Sequence, residues 1–362
     1  MARGAKGKTK PTPARAKPSK SKPSKPKPSK STPAKGASGK RGASRKTAAR
    51  NKPTNAKTPP RRKPAKAAKA APRRPSTAAK TIGPISLDVP EKKIGGMPAL
   101  GYGTWTLEGQ AAVDGVNWAL ETGYRHIDTA QGYRNEAEVG AAIAQSGIPR
   151  GEIFITTKVD PLNYGKGKLR RSVEESLRKL RVDQVDLLLL HWPSPHDEFP
   201  LPAYARQLAE VLAVGLTKRI GVSNFTTRLI DEALQIFGPG GIATNQIEIH
   251  PFLANKRIVA HCRMKGIPLT AYCPLARRRI LGNPVIEGIA RAHGATAAQV
   301  SLAFLLAEGF VAIPCSSNRE RILENFKSRD LNLGDDEIAQ LRGLDRGLRL
   351  VLGNGGPDWD PA

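Results

Sequence analysis

The chain is 362 residues long and carries 59 Lys and Arg against 31 Asp and Glu, a formal charge of +28. Residues 1–80 hold 27 of those bases and no acid, since the first acidic residue is Asp88; the rest of the chain balances 32 bases against 31 acids. The high pI therefore belongs to one segment, and the body is excluded from the class of broadly basic proteins.

No apolar run reaches the roughly 20 residues that cross a bilayer, and the start, Met1-Ala2-Arg3-Gly4-Ala5-Lys6, leads into Lys and Pro rather than a secretory leader. A mitochondrial transit segment would also lack acids, but prolines every few residues oppose the amphipathic helix it needs. Cys262, Cys273 and Cys315 are too few and too scattered for a disulfide framework or a metal cluster. A reducing, cytoplasmic setting is expected, with no metal and no membrane.

Residues 1–81 are Lys/Ala/Pro/Ser-rich, with short recurring units such as Lys17-Pro18-Ser19-Lys20 and Lys22-Pro23-Ser24-Lys25. With almost nothing apolar beyond Ala, burial cannot offset chain entropy, so a disordered basic tail is expected. Texture changes at Thr81-Ile82-Gly83, which sets a second unit at 82–362.

In that unit short β-rich runs alternate with amphipathic patterns. Strands are predicted at 99–104, 124–128, 153–158, 185–191, 219–223, 243–248, 268–272 and 311–314. Between them Leu169, Val173, Ser176, Leu177 and Leu180 share one face of a helix over 168–180. Similar patterns predict helices at 202–214, 226–237, 256–265, 284–292 and 296–307. Eight strands alternating with helices mean a parallel sheet. No Gly-x-Gly-x-x-Gly follows a strand and no phosphate-loop lysine motif occurs, which weakens a doubly wound reading; the count of eight favours an α/β fold of (β/α)₈ barrel type.

Barrel chemistry gathers at the carboxyl ends of the strands. Those ends read Thr104-Trp105, Asp128, Lys158, His191, Ser223-Asn224, Gln246, Tyr272 and Cys315-Ser316, with Tyr133 in the loop after Asp128. Asp128 and Lys158 on adjacent strand ends should pair, because a lone buried charge is too costly. A phenol beside that lysine should have its pKa lowered and so become a usable general acid. Each residue has a plainer reading: Asp–Lys pairs at strand ends are more often structural, and His191 could simply sit hydrogen-bonded under a loop. Together the four point to a barrel oxidoreductase or lyase.

The motifs Gly-Tyr-Gly-Thr-Trp (101–105), Gly-Tyr-Arg-His-Ile-Asp-Thr-Ala (123–130), Tyr-Arg-Asn-Glu (133–136), Val-Asp-Leu-Leu-Leu-Leu-His-Trp-Pro (185–193), Ile-Gly-Val-Ser-Asn-Phe (220–225) and Asn-Gln-Ile-Glu (245–248) carry a resemblance, from about residue 85 onward, to the aldo-keto reductase superfamily. His-Trp-Pro-Ser-Pro and the ending Pro-Asp-Trp-Asp resemble its bacterial branch that reduces methylglyoxal and 2,5-diketo-D-gluconate. The resemblance implies NADPH-dependent reduction of an aldehyde or ketone by a monomer. Tyr133 is implied as proton donor, tuned by Lys158 and Asp128, with His191 orienting the carbonyl and Trp105 and Trp192 lining the substrate mouth. Thr104, Asp128, Ser223, Asn224, Gln246 and Tyr272 are implied around the nicotinamide end of the cofactor. Cys273, Pro274 and Leu275 are implied beside the pyrophosphate, and Ser316, Arg321, Glu324 and Asn325 at the adenosine end, with Arg321 on the 2′-phosphate. One departure is Cys315, which stands where the family carries a lysine; Arg319 is the nearest substitute in sequence.

Substrate choice is expected to lie in loops 159–168, 193–202 and 347–362, whose residues do not name a ligand. Two other readings remain open at this point: a barrel that binds NADPH without turnover, and a nucleic-acid-associated, nucleoid-located protein acting through its basic tail.

Overall fold

The computed structural model describes residues 91–353 and 356–361; the tail and the boundary near residue 82 lie outside them. The described chain opens with a short antiparallel hairpin, β1 (Lys93–Ile94) and β2 (Met97–Pro98). Eight parallel strands follow in chain order: β3 (Tyr102–Gly103), β4 (His126–Asp128), β5 (Phe154–Val159), β6 (Leu187–Leu190), β7 (Ile220–Ser223), β8 (Asn245–Glu248), β9 (Leu269–Tyr272) and β10 (Val311–Ala312). Leu100 pairs in parallel with Ala312, and Gly101 and Gly103 donate to the carbonyls of Ala312 and Pro314 at 2.9 Å each, which joins the last strand to the first. This is the expected (β/α)₈ fold.

All predicted strands occur, each shortened at one or both ends except the third, which shifts by one residue, as helix and sheet boundaries commonly do. The predicted helices appear as α3 (Lys168–Leu180), α4 (Leu201–Ala213), α5 (Thr227–Phe237), α6 (Lys256–Met264), α7 (Pro284–Ala292) and α8 (Ala297–Ala307). Four further helices, α1 (Gly109–Thr122), α2 (Glu136–Gln145), α9 (Arg319–Phe326) and α10 (Asp335–Arg342), and the hairpin were not predicted individually. Local chemistry sets several starts. Asn283 accepts from the amides of Val285 and Ile286 ahead of Pro284, and Thr296 with Gln299 forms a reciprocal cap on α8.

Leu187–Leu190 explains why the sheet reads as unbroken apolar sequence: Leu188 and Leu190 face the helices, whereas Leu187 and Leu189 join Met97, Val311 and Ile313 inside the barrel. Met97, carried by the hairpin, closes the floor of that interior. Higher up the filling turns polar, with His126 Nε2 3.0 Å from Thr156 Oγ1 and Thr244 Oγ1 3.0 Å from Thr270 Oγ1. The two-residue strand period then carries His126 to Asp128 and Thr156 to Lys158, so both charges point inward at the carboxyl end.

Candidate active site

Lys158 and Asp128 are 0 % and 1 % exposed, and the ammonium donates to Asp128 Oδ1 at 2.5 Å. Its other partners are the Thr129 carbonyl at 2.9 Å and the Tyr133 hydroxyl at 3.3 Å. Gln246 Nε2 donates to the second Asp128 oxygen at 2.8 Å, so that carboxylate is held from both sides. Tyr133 is half-buried, and the His191 ring meets it edge-on with centroids 5.5 Å apart. Asp128, Lys158, Tyr133 and His191 therefore share one corner of the mouth.

The loop holding Tyr133 is fastened by residues that the sequence reading passed over. Asn135 donates to the carbonyls of Thr104 and Leu107 at 2.8 and 2.9 Å and accepts from Thr129 Oγ1 at 2.8 Å. Gln131 accepts from the Asp160 amide and the Asn163 side chain at 2.9 Å each. Arg134 takes a left-handed φ of 59°, which turns the chain from Tyr133 into α2. The signal was present as the polar run around Tyr133, but nothing in sequence says which amides such side chains reach.

The electrostatics correct one expectation. Burial, and after it the Asp128 charge, pushes the Tyr133 phenol well above its usual value; Lys158 does not prevail over them. Burial also lowers Lys158 below the ordinary lysine value, against the opposing pull of Asp128. His191 is pushed down from 6.5 to about 3, first by burial and then by the Lys158 charge, so its imidazole is neutral at physiological pH. The linkage has a definite sign. Between pH 6.5 and about 3 the unfolded chain binds the His191 proton and the folded chain does not, so stability falls as pH falls through that window. Substituting His191→Gln is expected to flatten that part of a urea-midpoint-against-pH curve; an unchanged slope would show that His191 is not held neutral.

Around the other rim, Ser223 and Asn224 are buried, and Asn224 has a φ of 63°. Its amide nitrogen donates to the His191 carbonyl at 3.0 Å and to Ser223 Oγ at 3.1 Å, while its oxygen accepts from the Tyr272 hydroxyl at 2.8 Å. Gln246 Oε1 has no hydrogen-bond partner among the described residues, which leaves one acceptor open on β8. Thr104 is spent on the Asp128 carbonyl at 3.0 Å. Cys273, Ala276, Arg277 and Arg278 all have left-handed φ, at 55°, 46°, 49° and 70°, so the segment containing Pro274 and Leu275 is sharply bent.

Cys315 donates from its thiol to the Trp105 carbonyl at 3.1 Å, and burial pushes that thiol up to about 12, so it brings no charge. Arg319 is not its replacement here: it pairs with Glu121 at 3.1 Å on the open surface. Arg321 is exposed and has no carboxylate partner among the described residues, while Glu324 accepts from Thr296 at 2.7 Å and Asn325 is buried. The Tyr102 hydroxyl holds the Ser316 carbonyl at 2.6 Å. A cation the sequence reading missed is Arg277, which lies over the Trp105 ring at 5.3 Å; the run Arg277-Arg278-Arg279 was its visible trace.

Trp105 is 48 % exposed. Trp192 is held by Tyr164, whose hydroxyl donates to its carbonyl at 2.6 Å, and by Trp359, which meets it edge-on at 6.3 Å. The C-terminal segment is thus tied down beside the site. Buried Glu248 accepts from the amides of Leu350 and Val351, and Asp360 accepts from the amide and hydroxyl of Thr227 at 2.8 and 2.9 Å. No group of three or more potential metal ligands occurs among the described residues, and none of their helices is long and apolar enough to cross a membrane.

A parallel eight-stranded barrel with this corner of Tyr, Lys, Asp and His defines a carbonyl oxidoreductase class. Residues 99–346 match the aldo/keto reductase family, and the chain belongs to it. Methylglyoxal reductase DkgB of Escherichia coli O157:H7 is 47 % identical over 265 residues, which span 73 % of this chain and 99 % of that protein. Morphine 6-dehydrogenase of Pseudomonas putida is 39 % identical over 72 % of this chain and 90 % of its own. Among solved structures, a putative 2,5-diketo-D-gluconic acid reductase B superposes with a TM-score of 0.71 at 42 % identity, covering 74 % of this chain and 95 % of that one. Aldose reductase from Schistosoma japonicum superposes at 0.67 with 33 % identity, over 71 % and 91 % of the two chains.

Proposed function

We propose that the chain is an NADPH-dependent reductase of small carbonyl compounds, 2-oxoaldehydes such as methylglyoxal or diketogluconate-type sugar acids, with Tyr133 as proton donor. The reading rests on one arrangement: a buried lysine, neutralised by Asp128, that reaches the hydroxyl of a tyrosine facing a neutral histidine. Similarity to methylglyoxal reductase DkgB and to the diketogluconic acid reductase structure supports the substrate class.

The donor set fits a nicotinamide dinucleotide. Gln246 Oε1 offers an acceptor to a carboxamide N–H, Tyr272 a ring for stacking, the bent 273–276 segment a wall beside the pyrophosphate, and Arg321, with no carboxylate partner among the described residues, a fork for a phosphate. Bound there, NADPH supplies the hydride. The chain's own groups handle the oxygen. Neutral His191 donates one ring N–H to the substrate carbonyl and fixes its direction, and Tyr133 gives up its proton as that oxygen becomes alkoxide-like. A phenol held protonated by burial yields only to a strong base, which an alkoxide is and a resting carbonyl is not. Lys158, 3.3 Å away, then faces the phenolate and lessens its cost, with Asp128 setting the ammonium in place.

The reading is tested by following NADPH oxidation with methylglyoxal, diketogluconate, benzaldehyde and aliphatic aldehydes, alongside cofactor titration without substrate. Turnover of a 2-oxoaldehyde or keto-sugar acid supports it; tight NADPH binding with no turnover of any carbonyl overturns it in favour of a non-catalytic barrel. Cofactor choice has its own expectation. Arg321→Ala should weaken NADPH binding by about 1.5–3 kcal/mol, the scale of a hydrogen bond to a charged group, and leave NADH nearly unchanged. Cys315→Lys should tighten NADPH selectively. Equal losses for both cofactors in the arginine variant would make Arg321 structural.

A further inference from the structure

Residues 1–80 supply none of the candidate site residues: the family match begins at residue 99, and every candidate site residue lies beyond that point. Their composition is nonetheless extreme. Along with 27 Lys and Arg they contain no Asp, Glu or His, and no Val, Ile, Leu, Phe, Tyr, Trp or Cys. The remainder of the chain, at 32 bases and 31 acids, presents no comparable field. A partner for this segment must therefore be recognised through positive charge alone.

That constraint separates the polyanions. Peripheral membrane binding gains strength by inserting Trp, Phe or Leu at the acyl boundary, and none is present. Single-stranded nucleic acids are gripped by stacking bases on aromatic rings, and there are no rings. An acidic protein partner would ordinarily supply apolar anchors to complementary ones, which again are lacking. Duplex DNA needs neither insertion nor stacking. It carries one charge per about 1.7 Å of axis with a condensed counterion layer, and cations that neutralise its phosphates are rewarded by releasing those ions.

We propose that residues 1–80 hold this reductase on duplex DNA through phosphate contacts that read no sequence. Base-edge readout requires side chains placed in a groove by a fixed element, whereas lysines and arginines on phosphates set affinity without discriminating bases. Binding therefore depends steeply on salt and is indifferent to DNA sequence. Each neutralised phosphate contributes about −0.9 to the slope of log K against log salt, so engaging six to ten costs about 10³–10⁵ in affinity between about 50 and 200 mM. The inference rests on charge and stands whichever carbonyl the barrel reduces.

The test is fluorescence anisotropy of a labelled mixed-sequence duplex with the full chain and with a full-length variant in which every Lys and Arg of residues 1–80 is replaced by Gln. The native chain should bind at low salt and release by moderate salt with a slope of about −5 or steeper, corresponding to six or more phosphates. The Gln variant should lose binding while retaining NADPH turnover. Binding that survives in the variant would place the contact on the barrel and overturn the proposal, as would no binding by the native chain at low salt. Two competitor arms identify the source: polyuridine and phosphatidylcholine–phosphatidylserine vesicles. If either displaces the duplex at equal charge concentration more effectively than unlabelled duplex does, the assignment to DNA is wrong.

Discussion

Replacing Tyr133 with Phe is expected to lower turnover by about 10²–10⁴, the range for loss of a positioned general acid. Cofactor binding and thermal stability should stay close to native. The substitution removes one oxygen whose only protein partner among the described residues is Lys158 at 3.3 Å, and the ring's contact with His191 survives. The loss should fall on kcat and kcat/KM alike, because the proton is transferred only in the transition state. The pH profile adds a second check. With the phenol held well above its ordinary value and His191 neutral down to about 3, neither group titrates across neutrality, so reductive turnover should be flat there. A Phe variant retaining more than about a tenth of native turnover would show that another group delivers the proton. His191 is next in line, and the double variant would reveal it.

How far the sequence carried these conclusions depends on the kind of information each needs. Strand-end position was enough to gather Asp128, Lys158 and His191, because the period of two along a parallel strand sends alternate residues inward and the barrel collects them at one end. The missing charge at Cys315 came instead from the resemblance to the aldo-keto reductases, whose pattern carries a lysine there. The phenol's titration was misjudged for a physical reason: strand-end position put a cation beside Tyr133, where it stands at 3.3 Å, but burial acts on the phenolate first and the Asp128 charge adds to it. Arg319 failed as a substitute because its partner, Glu121, lies in a helix far away in sequence. The clamp of Glu248 and Asp360 on the C-terminal segment was likewise invisible, since these carboxylates act on amides 102 to 133 residues distant.

The largest expected stability effect is at Lys158. Lys158→Met keeps an unbranched apolar stem, one atom shorter, but removes the cation from a carboxylate that is 1 % exposed. Breaking one half of a buried pair typically costs about 3–5 kcal/mol, because the surviving charge has neither water nor partner. Here Gln246 still donates to Asp128 at 2.8 Å, which places the expectation at the lower end, about 3 kcal/mol. The prediction is a lowered urea midpoint together with lost turnover, and the two must be separated. Asp128→Asn in the same chain does so: with the anion gone, the double variant should recover most of the stability lost by Lys158→Met, yet none of the activity, since the phenolate still lacks its cation. Non-additivity of that size is what a direct contact at 2.5 Å demands. Additive losses would mean that the two side chains stabilise the barrel independently, and the electrostatic account of Tyr133 would lose its foundation.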